Sequence, residues 1–185
     1  PLLHTRSVRL GEANLLQTLQ GMGFDVFLFS HRGQRNATFR NTSQQEKKLG
    51  WMDILSHDVP SAIDAIKRCT GAKRVFWMGH GLGGLMLYSW LSMGGSRDLA
   101  GAITIDAPGL YTPTKIPLRL KLLHKLFSAQ KKYPTRNLAQ LYAQRNPIIH
   151  PDISPQKTRS LLHHCLEDLS PQLVQHILQW LETGR

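Results

Sequence analysis

Two rhythms of apolar residues alternate along the first 110 residues of the chain, and only the helical one continues beyond them. Leu15, Leu16 and Leu19, within residues 12–21, stand at helical spacing and the segment closes on Gly21, so a helix of about three turns is predicted there. Gly23-Phe-Asp-Val-Phe-Leu-Phe-Ser30 is a nearly continuous run of β-formers, which is how a strand buried on both faces reads. His31-Arg32-Gly33 then opens a long polar loop. Residues 56–69 return to the helical pattern, with Pro60 in an early turn where proline is tolerated and Gly71 at the end. Arg74-Val-Phe-Trp-Met78 is a second buried strand, running directly into Gly79-His80-Gly81-Leu82-Gly83-Gly84 and the helical Leu85–Met93. Leu99–Asp106 is a third strand, closed by Ala107-Pro108-Gly109.

Alternating strands and helices imply an α/β fold, with a parallel sheet and helices on both of its faces. Beyond residue 110 no strand is predicted. Residues 154–185 divide into two helices, each opened by a Ser-Pro pair of the N-cap and first-turn kind. The expected organisation is an α/β core over residues 1–110 followed by a helical cap or lid over 111–185.

A chain of 185 residues with 41% hydrophobic composition can bury one core. No apolar run approaches the roughly 20 residues of a membrane-spanning helix, and the N-terminal PLLHTRSVRL lacks the order of a secretory signal, so a cytoplasmic protein is expected. Cys69 and Cys165 have no zinc-site or disulfide-framework spacing and read as buried thiols. His163 and His164 point to different faces of a helix, and neither they with His176 nor His80 with His4 is joined by an acid at metal-site spacing, so no metal is expected. Phe76, Trp77 and Trp90 sit in the most apolar segments and read as core residues. The net charge of +11 gathers in residues 115–145, where Lys115, Arg119, Lys121, Lys125, Lys131, Lys132, Arg136 and Arg145 interleave with leucines. Such a segment can touch an anionic membrane surface, or be a solvated helix whose apolar side faces the domain; the second is the expectation, and no nucleic-acid partner is expected.

The glycine turn fits two motifs. As G-x-G-x-x-G over residues 79–84 it is a dinucleotide fingerprint, and Asp106 lies about 20 residues on, where the ribose-binding acid belongs. The all-helical pattern after Asp106 leaves that fold without its further strands. As G-x-S-x-G the same turn is a nucleophile elbow, which lifts a serine above a sheet at the start of a helix.

The flanking residues favour the elbow. Gly-Phe-Asp-Val-Phe-Leu-Phe-Ser-His-Arg-Gly-Gln (23–34), Asp-Val-Pro-Ser-Ala-Ile-Asp-Ala-Ile (58–66), Thr-Gly-Ala (70–72) and Val-Phe-Trp-Met-Gly-His-Gly-Leu-Gly-Gly (75–84) occur in order. This succession resembles α/β-hydrolases of the esterase and lipase type, similar to bacterial cap-containing hydrolases and lysosomal acid lipases. The resemblance covers residues 11–110 and, more loosely, the helical part as a cap. It implies a serine nucleophile at position 81, an oxyanion donor in the amide of Leu82 with a partner near His4 and Thr5, and an acid and a histidine after later strands. Position 81 is glycine, so the resemblance implies a fold without its nucleophile. His80 is aimed differently by the turn, and Asp106 is a fallback acid or simply a turn residue.

The expected function is therefore that of a hydrolase-like protein, catalytically impaired at Gly81, that needs no cofactor and can hold a hydrophobic or acyl ligand. Three alternatives stay open: a fragment of an active carboxylic-ester hydrolase, a dinucleotide-binding protein using residues 79–84, and a basic module binding anionic lipid or nucleic acid through residues 115–145.

Overall fold

The computed structural model describes residues 2–4, 15–33, 48–107, 115–130, 132–135, 137–139, 141, 154, 156 and 168–183. The chain divides into two compact units, Pro1–His31 with Met52–Tyr111, and Arg32–Trp51 with Thr112–Arg185. Residues 32–51 thus group with the helical part of the chain.

In the first unit, β1 (Leu2–His4) and β2 (Phe27–Phe29) form a two-stranded antiparallel sheet with Leu3 opposite Leu28, and α1 (Leu15–Gly21) lies between them in sequence. The run around Phe27 is shorter than its composition predicts, is only half-buried, and does not join the parallel pair. Its β-branched and aromatic residues favour a strand without choosing a partner, and that choice is made by long-range pairing.

Trp51–Asp53 (α2) leads through a π-helical turn at Ile54–Asp58 into α3 (Val59–Thr70). Helical turns thus begin at Trp51, before the predicted Ser56, and Pro60 lies in the first turn of α3, as its place in the sequence predicts. Proline has no N–H and its ring crowds the carbonyl four residues earlier. The widened turn, in which the Val59 N–H reaches Ile54 O, shifts the ladder immediately before that proline. Ile54, Leu55, Val59 and Ile63 from this stretch are buried, as are Met86, Leu87 and Leu99 of the same unit. Cys69, expected to be a buried thiol, is exposed at the end of α3; Cys165 lies outside the described residues.

β3 (Val75–His80) and β4 (Leu99–Ile105) pair in parallel, joined by α4 (Leu82–Ser92) and a short 3-10 turn at Gly95–Asp98. The pairing shifts between Val75 and Phe76 and then runs regularly to His80 opposite Ile105. A small parallel sheet with helices is thus present, as the pattern of the sequence predicts. The strands are not buried on both faces, however. Phe76, expected in the core, is 69% exposed and meets Phe24 edge to face at 6.2 Å, and Met78, Ile103 and Ile105 are exposed beside it. Trp77 and Trp90 are half-buried. A Lys67–Asp98 ion pair joins the end of α3 to the turn before β4.

The second unit includes α5 (Leu118–Phe127) and α6 (Pro171–Thr183), and Leu49, Ile116, Tyr133, Pro171 and Leu173 are buried in it. Ser170 is the N-cap predicted by the Ser-Pro pair: its Oγ accepts from the Leu173 N–H at 3.1 Å and donates to Leu49 O at 2.5 Å. The preceding predicted helix, from residue 154, falls largely outside the described residues.

Tyr133 is held by its N–H donating to Leu169 O at 2.7 Å, stacks on His124 and meets Phe127 edge to face. Burial raises its phenol pKa above the ordinary 10.0. The folded state then favours the neutral phenol, so this contribution to stability is complete below pH 10.0 and is lost as pH rises through the folded value. Thermal melts are expected to fall more steeply above pH 10 in the wild type than in Tyr133→Phe; equal slopes would remove Tyr133 from the alkaline transition.

Candidate active site

The candidate site lies where the C-terminal ends of β3 and β4 meet the first turn of α4. Parallel strands joined through a helix bring their C-terminal ends together on one edge, which is where open α/β sheets hold ligands. Gly81 separates β3 from α4 with φ 51° and ψ −114°, a backbone that side chains rarely adopt. Its N–H donates to Ile105 O at 3.0 Å, tying the turn to the end of β4, and its own carbonyl accepts from the N–H groups of Gly84 and Leu85. The chain reverses from strand to helix within this one residue.

The other glycines of the motif answer to packing. A Cβ on Gly79 would stand 2.4 Å from the carbonyl carbon and oxygen of Gly83 and 2.6 Å from the nitrogen of Gly84, so strand and helix touch backbone to backbone here. A Cβ on Gly84 would stand 2.2 Å from the Cβ of Ala107. By contrast, a Cβ on Gly81 meets nothing within 4 Å. The position that would carry the nucleophile is open space, restricted by backbone strain and not by neighbours.

One bond that no local pattern predicts braces the turn. Trp77 Nε1–H donates to Gly83 O at 3.1 Å, so an indole from β3 reaches the first turn of α4. Tyr88 of α4 and Thr104 of β4 share a hydrogen bond at 3.0 Å, and the Tyr88 hydroxyl also reaches Ala107 O at 3.5 Å. The N–H of Leu82 belongs to the opening turn of α4, where amides have no intrahelical acceptor and the helix dipole is positive. Its partner as oxyanion donor is predicted near His4 and Thr5: His4 ends β1, and Thr5 lies outside the described residues.

His80 and Asp106 end adjacent strands, with His80 Nε2 4.0 Å from Asp106 Oδ2. Their side chains are 73% and 89% exposed, so water screens the pair and its energy is small. Asp106 has φ 49°, the left-handed conformation that a short polar turn residue tolerates. Asp106 thus stands in a turn just after β4, which sets its carboxylate beside His80. Of the other histidines, His176 accepts a hydrogen bond from the Trp51 N–H at 3.1 Å and His124 stacks on Tyr133, both structural roles. His150, His163 and His164 lie outside the described residues. Among the described residues no group of His, Cys, Asp and Glu could hold a metal ion, and no helix is long and apolar enough to cross a membrane.

A family model described as serine aminopeptidase, S33, matches residues 5–167. The chain belongs to this α/β-hydrolase family. Within the family's fold, the strand–Gly81–helix turn is the segment that the sequence resemblance assigns to the nucleophile. The chain is also 30% identical over 74 residues to lipase lipl-3 of Caenorhabditis elegans, covering 38% of this chain and 18% of the relative. It is 31% identical over 104 residues to triacylglycerol lipase 2 of Arabidopsis thaliana, covering 54% of this chain and 25% of the relative. The chain thus spans a quarter or less of the length of these curated relatives.

Proposed function

We propose that this α/β-hydrolase of the esterase/lipase type is a binding protein for a hydrophobic or acyl ligand, in which the serine step of the family's chemistry is absent. The observation that carries it is Gly81: a strand-to-helix turn at φ 51°, ψ −114°, with open space where the nucleophile's side chain would stand. Nucleophilic catalysis needs an oxygen or sulfur on residue 81, and glycine supplies neither. What remains is the amide of Leu82 at a positive helix end, suited to a carbonyl or carboxylate oxygen. The cytoplasmic setting and the cap role of residues 111–185 belong to the same proposal.

The test is fluorophosphonate labelling, with nitrophenyl-ester hydrolysis as a second readout, on the wild type and Gly81→Ser. The wild type is expected to remain unlabelled, and reaction of Gly81→Ser would show that residue 81 alone withholds the serine step. Labelling of the wild type would reveal a nucleophile elsewhere and end the proposal. The lipase names of both relatives favour a second reading, a portion of an active carboxylic-ester hydrolase, and wild-type labelling is what that reading requires. The dinucleotide alternative draws no support from the family match.

A further inference from the structure

Helix α5 presents an apolar stripe to solvent. Leu118, Leu122 and Leu126 follow one another at four-residue intervals, so they share one face, and they are 71%, 58% and 67% exposed. The opposite face is the one engaged within the unit: Leu123, His124 and Phe127 are half-buried, and the last two rings meet Tyr133. The basic segment was expected to turn its apolar side to the domain, and these three leucines do the reverse. Arg119 and Lys125 are exposed on the flanks of the stripe, and Lys121 extends beside it to Glu182 Oε1 at 2.5 Å. From Ala107 to Pro151 the sequence has eight lysines and arginines and no aspartate or glutamate.

A partner for this face must satisfy cations and leucines together. Nucleic acid would neutralise the charge and leave the leucines in water. An anionic bilayer surface meets both demands in one geometry, because a helix lying in the interface places apolar side chains at the acyl boundary and basic ones among the headgroups. We propose that the outward face of α5 seats on an anionic phospholipid surface, with Leu118, Leu122 and Leu126 entering the acyl boundary and Arg119 and Lys125 against the headgroup phosphates and carboxylates. The proposal is independent of what binds beside Gly81.

The test is co-sedimentation of the full chain with phosphatidylcholine vesicles, with and without phosphatidylserine. Binding is expected only with phosphatidylserine and is expected to fall steeply as salt shortens the reach of charge to below about 10 Å. The Leu118→Ser/Leu122→Ser/Leu126→Ser variant should lose about tenfold or more in partition, and Arg119→Gln/Lys125→Gln several-fold. These positions are exposed, and unchanged circular dichroism would show that the fold is kept. Equal binding to both vesicles, or a triple-leucine variant that partitions like the wild type, overturns the proposal. Single-stranded RNA that binds wild type and triple-leucine variant alike, while phosphatidylserine vesicles bind neither, would assign the face to nucleic acid instead.

Discussion

Replacing Gly79 by alanine is expected to cost about 3 kcal/mol or more of stability, enough to leave little soluble protein. The added methyl would stand 2.4–2.6 Å from backbone atoms of Gly83 and Gly84, and backbone cannot rotate away as a side-chain tip can. Relief requires α4 to lift off β3, which would also break the bond from Trp77 to Gly83 O. Gly81→Ala is the comparison two residues away. Its methyl meets nothing within 4 Å, so it suffers only the strain of its backbone, about 1–3 kcal/mol. Urea unfolding of the three proteins decides the matter: a Gly79→Ala midpoint equal to that of the wild type would mean that the strand and helix are not in the backbone contact described.

Ile54→Ala is expected to destabilise the first unit by about 2–5 kcal/mol. Ile54 is fully buried, in the π-helical turn beside the equally buried Leu55 and Val59. Removing its branched side chain loses the transfer energy of three methyl or methylene groups and leaves a cavity that the irregular turn closes only in part. An exposed residue of the same stretch, Met52→Ala, should stay within about 0.5 kcal/mol and serves as the control. If the two variants melt together, Ile54 is not at the centre of that core.

The most legible part of the fold was the segment from Val75 to Ile105. A β-rich run, a dense glycine turn and a helix of Leu, Met, Tyr and Trp leave few alternatives, and the family match agrees with the fold class so predicted. The Ser170 cap was legible for a similar reason, since it depends on a hydroxyl and a proline adjacent in sequence. What local pattern did not convey was partner choice. Phe27–Phe29 has strand composition, but nothing local says that it pairs antiparallel with Leu2–His4. Nor does apolar composition say which of Phe76, Met78 and Ile103 the fold leaves exposed, because burial is decided by the elements laid over a strand.

The candidate site divides along the same line. Gly81 and the Leu82 amide could be placed from the motif alone. The approach of His80 to Asp106 arises from the parallel register, in which His80 stands opposite Ile105 and strand ends 26 positions apart become neighbours. That juxtaposition was accessible in principle, since two strands joined by one helix must end at the same edge. The brace from Trp77 was not, because it depends on the rotamer of one indole.

That indole also makes the turn observable. Trp77 is anchored at one end in β3 and at the other to Gly83 O, so anything that shifts the opening of α4 must change the polarity around a fluorophore already in place. Its emission, isolated by replacing Trp51, Trp90 and Trp180 with phenylalanine, turns the hinge between strand and helix into an optical gauge that responds to occupancy beside residue 81 without any added label.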